Sequence, residues 1–110
     1  MDECRAQRQS LADEFKALQS FFAALGDETR QQIFLALLEH ETVGMRVPEI
    51  TRRTHLSRPA VSHHLRILKK SGIIISRREG KEVYYRAADT EVSRLLHNMI
   101  EQVMEIACPN

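Results

Sequence analysis

At Gly72 the chain changes period, and this change restricts its fold more than any other feature. Up to Ser71 the apolar residues recur at helical spacing. Beyond Gly72 come two short β-prone runs, Ile73-Ile74-Ile75 and Val83-Tyr84-Tyr85. Between them lies Arg78-Glu79-Gly80-Lys81, a glycine-bearing turn, so residues 73–86 read as a two-stranded hairpin with a basic tip. After the hairpin, Val92, Leu95, Leu96, Met99, Val103 and Ile106 return to helical spacing. The expected fold is mainly α with one small β-hairpin.

The residues before Gly72 divide into four helical segments. Leu11, Phe15, Leu18 and Phe22 mark one face of a first helix, about 8–25, which Gly26-Asp27 ends. Asp27 caps a second helix with Ile33, Phe34, Leu37 and Leu38 inward. Residues 40–47 have mixed polarity around Gly44 and read as a connection. Pro48 suits the first turn of a short helix ending near Arg53, because its missing N–H costs nothing there. Thr54-His55-Leu56 is a tight link. Ser57 then caps a longer helix that tolerates Pro59 in its first turn and stops at Gly72. Two helices joined by so short a turn make a helix-turn-helix over 47–71, and the hairpin over 73–86 is its wing. The expected architecture is a winged helix-turn-helix forming a single domain over 1–110, with no internal repeat.

Charge follows the same division. The chain carries 16 Lys plus Arg against 15 Asp plus Glu, a formal net of +1. Residues 46–86 hold eleven basic and three acidic side chains, +8, whereas residues 1–45 sum to −4 and residues 87–110 to −3. A central basic block of this kind suits a polyanion, because each neutralised phosphate releases condensed counterions. It also suits a solvated face with no partner. No apolar run approaches the roughly 18 residues of a membrane span. The first twenty residues carry too many charges for a signal-peptide core. Two cysteines near opposite ends do not make a disulfide framework. These features point to a cytoplasmic protein with no membrane partner.

The longer helix of the pair is shaped for a groove. At 100° per residue, Val61, Leu65 and Leu68 lie opposite Pro59 and pack inward, while Ser62, His63, Arg66 and Lys70 cluster around Pro59 on the outer face. Arginine bonds a guanine edge in bidentate fashion, Ser and His donate or accept at base edges, and Lys supplies a point charge. The N–H groups after Ser57 can hold a phosphate, with Arg58 and Lys69 flanking. At the hairpin tip Arg77, Arg78 and Lys81 can reach backbone phosphates or a minor groove. The same cations also keep an edge strand soluble. The DNA-binding set is therefore Ser57, Arg58, Ser62, His63, Arg66, Lys70, Arg77, Arg78 and Lys81. His64 turns toward the apolar side, where packing or a backbone bond suits it better than base reading.

Two stretches then carry a resemblance. Phe22-Ala23-Ala24-Leu25-Gly26-Asp27-Glu28-Thr29-Arg30 and Leu56-Ser57-Arg58-Pro59-Ala60-Val61-Ser62-His63-His64-Leu65-Arg66-Ile67-Leu68 resemble the ArsR/SmtB family of bacterial winged-helix repressors. Gly72-Ile73-Ile74 and Arg78-Glu79-Gly80-Lys81-Glu82-Val83-Tyr84-Tyr85 continue it through the wing, so it covers about residues 11–107. The resemblance implies a transcriptional regulator, a homodimer that represses at an imperfect palindromic operator in double-stranded DNA. Such dimers join largely through their first and last helices, here about 8–25 and 89–107. The last helix suits this, since Ile100, Met104 and Ala107 widen its apolar stripe to about half the circumference of an ideal helix. The interface residues expected are Leu11, Phe15, Leu18, Leu96, Met99, Ile100 and Val103. The same stripe also suits a core helix within one chain.

Metal sensing through the family's positions is not expected. Where one family site places Cys-x-Cys, this chain has Arg46-Val47-Pro48, with no thiolate for a soft metal. The other site maps onto Asp89, Glu91, Gln102 and Glu105, and lacks the imidazoles a zinc site needs. In that setting Asp89 is a helix cap and Glu105 is solvated. No cofactor is expected. Cys4 and Cys108 are left as a possible thiol switch or soft-metal pair, with two reduced terminal thiols as the plainer reading. No phosphate loop, nucleophile elbow or metal-ligand spacing marks an enzyme. The competing reading is a winged-helix protein-interaction module, or a protein that binds DNA without sequence preference.

Overall fold

A computed structural model describes residues 2–40, 43–88 and 91–105, with the side chains of 91–93 left aside. Asp89, expected as a cap, lies outside the described residues, as do Ile106, Ala107 and Cys108. The elements in chain order are helices α1 (Asp2–Ala17), α2 (Gln19–Leu25), α3 (Glu28–Glu39), α4 (Val47–Thr54) and α5 (Arg58–Lys70), strands β1 (Ile74–Glu79) and β2 (Glu82–Ala87), and helix α6 (Glu91–Glu105). Two compact units contain them, one from Met1–Ser20 and Asp89–Asn110, the other from Phe21–Ala88.

The first unit pairs α1 with α6. Gln102 Nε2 donates to Glu14 Oε1 at 3.2 Å across the pair. Spacing predicts one helix over about 8–25. The structure instead starts helix at Asp2 and interrupts it at Leu18, whose N–H turns back to the Phe15 carbonyl at 3.0 Å. An i→i−3 bond of this kind tightens the last turn and ends α1 without glycine or proline.

The second unit is built around Ile33, Leu37, Ile50, Val61, Leu65, Leu68, Ile73 and Ile74, all buried. Asp27 begins α3 as expected, its Oδ1 accepting from the Arg30 N–H at 3.0 Å. That bond chiefly holds the Asp27 carboxyl below the usual carboxylate range. The inward face of α3 is Ile33, Ala36 and Leu37. Leu38, expected inward, is 54% exposed. At 100° per residue it stands about 140° from Ile33, outside the buried face that Ile33, Ala36 and Leu37 form.

Helix α5 ends in a Schellman motif. Gly72 at φ 85 lets its own N–H reach the Lys69 carbonyl and the Ile73 N–H reach the Leu68 carbonyl, at 3.1 and 3.2 Å. The chain then enters β1 directly. β1 and β2 pair antiparallel from Ile74↔Ala87 to Glu79↔Glu82 around the loop Gly80-Lys81. Gly80, at φ 63, fills the first central position, where a II′ hairpin turn calls for glycine. The connection before α4 does more than link. Met45 pairs with Tyr85 through two 2.8 Å bonds and adds a one-residue third strand to the hairpin.

Candidate nucleic-acid interface

The α4–α5 turn is short because His55 takes a left-handed conformation, φ 58 and ψ 26, and returns its N–H to the Thr51 carbonyl at 2.9 Å. Two residues later Ser57 caps α5, its Oγ accepting from the Ala60 N–H at 3.2 Å. Pro59 lies in the first turn, as the sequence predicts. Val61, Leu65 and Leu68 are buried, so they fix the roll of the helix. Ser57, Arg58, Pro59, Ser62, His63, Arg66, Lys69 and Lys70 are all exposed on the remaining surface. Four side chains expected to meet bases or phosphates, Ser62, His63, Arg66 and Lys70, thus share one open face backed by three core residues.

His64 is half-buried, and its partner is a side chain rather than the backbone. Arg30 Nη1 lies 3.4 Å from His64 Nδ1, while Arg30 Nε donates to the Ala24 carbonyl at 2.6 Å. With Nδ1 accepting, the neutral ring carries its proton on Nε2. The His63 ring meets the His64 ring edge-on at 5.3 Å between centroids. Sequence reasoning missed Arg30, although it stands three residues after the Asp27 cap in the recognised motif.

The wing uses its cations unequally. Arg78 and Lys81 are exposed at the tip, and Arg78 Nε donates to the Gly80 carbonyl at 3.3 Å. Arg77 is engaged on three sides. Its guanidinium lies 4.5 Å over the Tyr84 ring, its Nε donates to Glu79 at 2.9 Å, and its Nη1 donates to the Val43 carbonyl. Tyr84 is also its register partner on β2. Those bonds hold the Arg77 side chain against the protein, with 39% of its surface still open.

Arg46, in the connection before α4, is a clamp. Its Nε donates to Glu49 Oε1 at 3.0 Å and its Nη1 to Glu82 Oε2 at 3.2 Å. The Arg46 side chain, foremost, holds the Glu49 carboxyl below the usual carboxylate range.

Of the expected interface residues, Phe15, Ile100 and Val103 are exposed, and so is Met104 at 79%. Leu11, Leu96 and Met99 are half-buried. Leu18, also expected there, is 1% exposed within the single chain. Cys4, near the start of α1, is disulfide-bonded. Among the described residues no cysteine is free. His97 stands on the polar side of α6, 3.0 Å from Glu101.

Comparison with known proteins decides what this geometry belongs to. The model of the arsR family of bacterial regulatory proteins matches residues 27–76, from the α3 cap into β1. A SmtB transcriptional repressor homolog from Synechocystis sp. is 33% identical over 93 residues, 84% of this chain and 68% of its own. The chain belongs to the arsR family. The transcriptional activator HlyU of Vibrio cholerae is 37% identical over 79 residues, 69% of this chain and 70% of its own. An ArsR-like transcriptional regulator from Rhodococcus sp. RHA1 superposes with a TM-score of 0.69 at 31% identity, covering 83% of each chain. This arsR-family protein is a winged-helix, DNA-binding transcriptional regulator. No described helix is long and apolar enough to cross a membrane.

Proposed function

We propose that this regulator acts in the cytoplasm as a homodimeric repressor, by binding rather than catalysis, at an imperfect palindrome in a promoter. Helix α5 enters the major groove, where Ser62, His63 and Arg66 face base edges. Ser57, Arg58 and Lys70 lie against phosphates, and Arg78 and Lys81 extend the contact from the wing. The observation that carries this reading is the open face of α5, whose donors are exposed while Val61, Leu65 and Leu68 hold it from behind. Exposed Phe15, Ile100, Val103 and Met104 on α1 and α6 support the pairing of two chains. Two-fold symmetry then sets paired recognition helices one DNA turn apart, about 34 Å.

The chemistry of the two family metal positions argues against sensing there. Arg46 brings a cation and no thiolate, and Gln102 gives its amide to Glu14. Cys4 and Cys108 remain the place for a switch. A dithiol reductant opens the disulfide at Cys4 by supplying two electrons and two protons and is itself oxidised to a disulfide, and that change alters the α1–α6 unit that carries the pairing helices. Selection of bound fragments from genomic DNA tests the reading. It is expected to return a palindrome with half-sites about one turn apart. Sedimentation is expected to find a dimer, and a dithiol reductant but not metal ions is expected to shift operator affinity. Unselective recovery of fragments would favour nonspecific binding, and a monomer at micromolar concentration would end the dimer reading.

A further inference from the structure

Arg46 belongs to the basic block, yet its guanidinium is turned to carboxylates. It is the N-cap residue of α4, and its backbone N–H and Nε both reach Glu49 Oε1, at 3.2 and 3.0 Å. Its Nη1 reaches Glu82 on β2, the residue that follows the Gly80-Lys81 loop. One side chain therefore ties the first helix of the helix-turn-helix to the tip end of the wing. The three residues before it bear on the wing as well. The Val43 carbonyl accepts from Arg77, and Met45 pairs with Tyr85. Gly44, at φ +97, passes so close that a Cβ there would stand 3.0 Å from the Tyr85 carbonyl oxygen. An isolated two-stranded hairpin is marginal in water. The direction of this tip must then come from what the hairpin leans on.

We propose that Arg46 and Glu82 are wing-positioning residues, an ion pair that holds the tip cations Arg78 and Lys81 at the height and angle where they meet the DNA backbone. The inference rests on the wing reaching phosphate, as set out above. It explains why a carboxylate stands beside the cationic tip. By charge alone Glu82 repels DNA; as the partner of Arg46 it aims the cations that attract it. Both members of the pair are partly exposed, with 36% and 52% of their side-chain surfaces open. A pair so exposed adds little to global stability, so its loss is read in DNA binding rather than in folding.

The test is operator affinity across a salt series for the full chain and for Arg78→Ala, Glu82→Gln, Arg46→Met and the double variant. Glu82→Gln removes a negative charge, so electrostatics alone predicts tighter binding. Positioning predicts about threefold to tenfold weaker binding, with a shallower salt slope because tip contacts are lost. The double variant is then no weaker than the weaker single one, since both substitutions break the same contact. Melting temperature is expected to stay near that of the parent. If Glu82→Gln binds more tightly or unchanged while Arg78→Ala flattens the slope, the wing touches DNA and the positioning role is overturned. Additive losses from Arg46→Met and gains from Glu82→Gln would make Arg46 a phosphate contact and overturn it equally. An unchanged slope in Arg78→Ala is a separate failure, of the wing contact itself, and the positioning pair falls with it.

Discussion

Helix α5 and the wing are both cationic, but they are held in opposite ways. α5 is anchored by Val61, Leu65 and Leu68, and among the described residues Arg58, Arg66, Lys69 and Lys70 make no ion pair within the protein. The hairpin buries Ile73 and Ile74 at one end, its middle is half-buried, and polar side chains add to its hold toward the tip. Arg77 stacks on Tyr84 and bonds Glu79 and Val43, and Arg46 reaches in from α4 to Glu82. An element anchored by core along its length can leave its cations for a ligand, whereas one anchored mainly at its base uses some of them as fasteners. The +8 of residues 46–86 therefore overstates the charge offered to DNA.

The largest expected break in this contrast is Leu65→Ala. Removing a side chain 1% exposed behind the reading face is expected to cost about 2–5 kcal/mol in chemical denaturation, and substitutions at the wing tip far less. Gly44→Ala comes next. A positive φ and a 3.0 Å approach to the Tyr85 carbonyl predict a loss of about 1–3 kcal/mol, and a neutral result would mean the wing is not seated on that segment. Ser57→Ala is expected to lower stability by about 1 kcal/mol, because it leaves the Ala60 N–H without its cap.

The smallest effect is one of pH. The Glu49 carboxyl is held below its ordinary range, so the stability it adds is present above that range and is lost as pH falls through the depressed value. The stability gap between parent and Glu49→Gln should therefore close as acid is added. A gap that stays constant along the acid limb would contradict the clamp.

The reading helix and the hairpin are legible in the sequence because each repeats a signal over many residues. Three inward residues on α5, a serine before the first turn and a glycine after the last all leave periodic or capping marks. Single-residue events leave none. Met45 adds a strand of one residue, which has no period to detect, and the break at Leu18 falls inside an unbroken apolar rhythm with neither glycine nor proline. The exchange of Leu38 for Ala36 follows from where neighbouring elements press on α3, which hydrophobicity alone does not record. The role of Arg77 was hidden for a different reason. Its partners, Val43 and Tyr84, become neighbours only once the chain has folded, and composition counts it as one more cation.

The central claim is a division of labour, in which α5 reads bases and the wing tip binds backbone. Salt titrations of a selected operator and a scrambled duplex, with the parent, Arg66→Ala and Arg78→Ala, test it most directly. Arg66→Ala should lose about 1–3 kcal/mol on the operator and much less on the scrambled duplex, erasing preference. Arg78→Ala should weaken both duplexes alike and reduce the salt slope by about 1, with preference kept. If both variants lose affinity for both duplexes in the same proportion, the two elements do not divide the work, and the claim is contradicted.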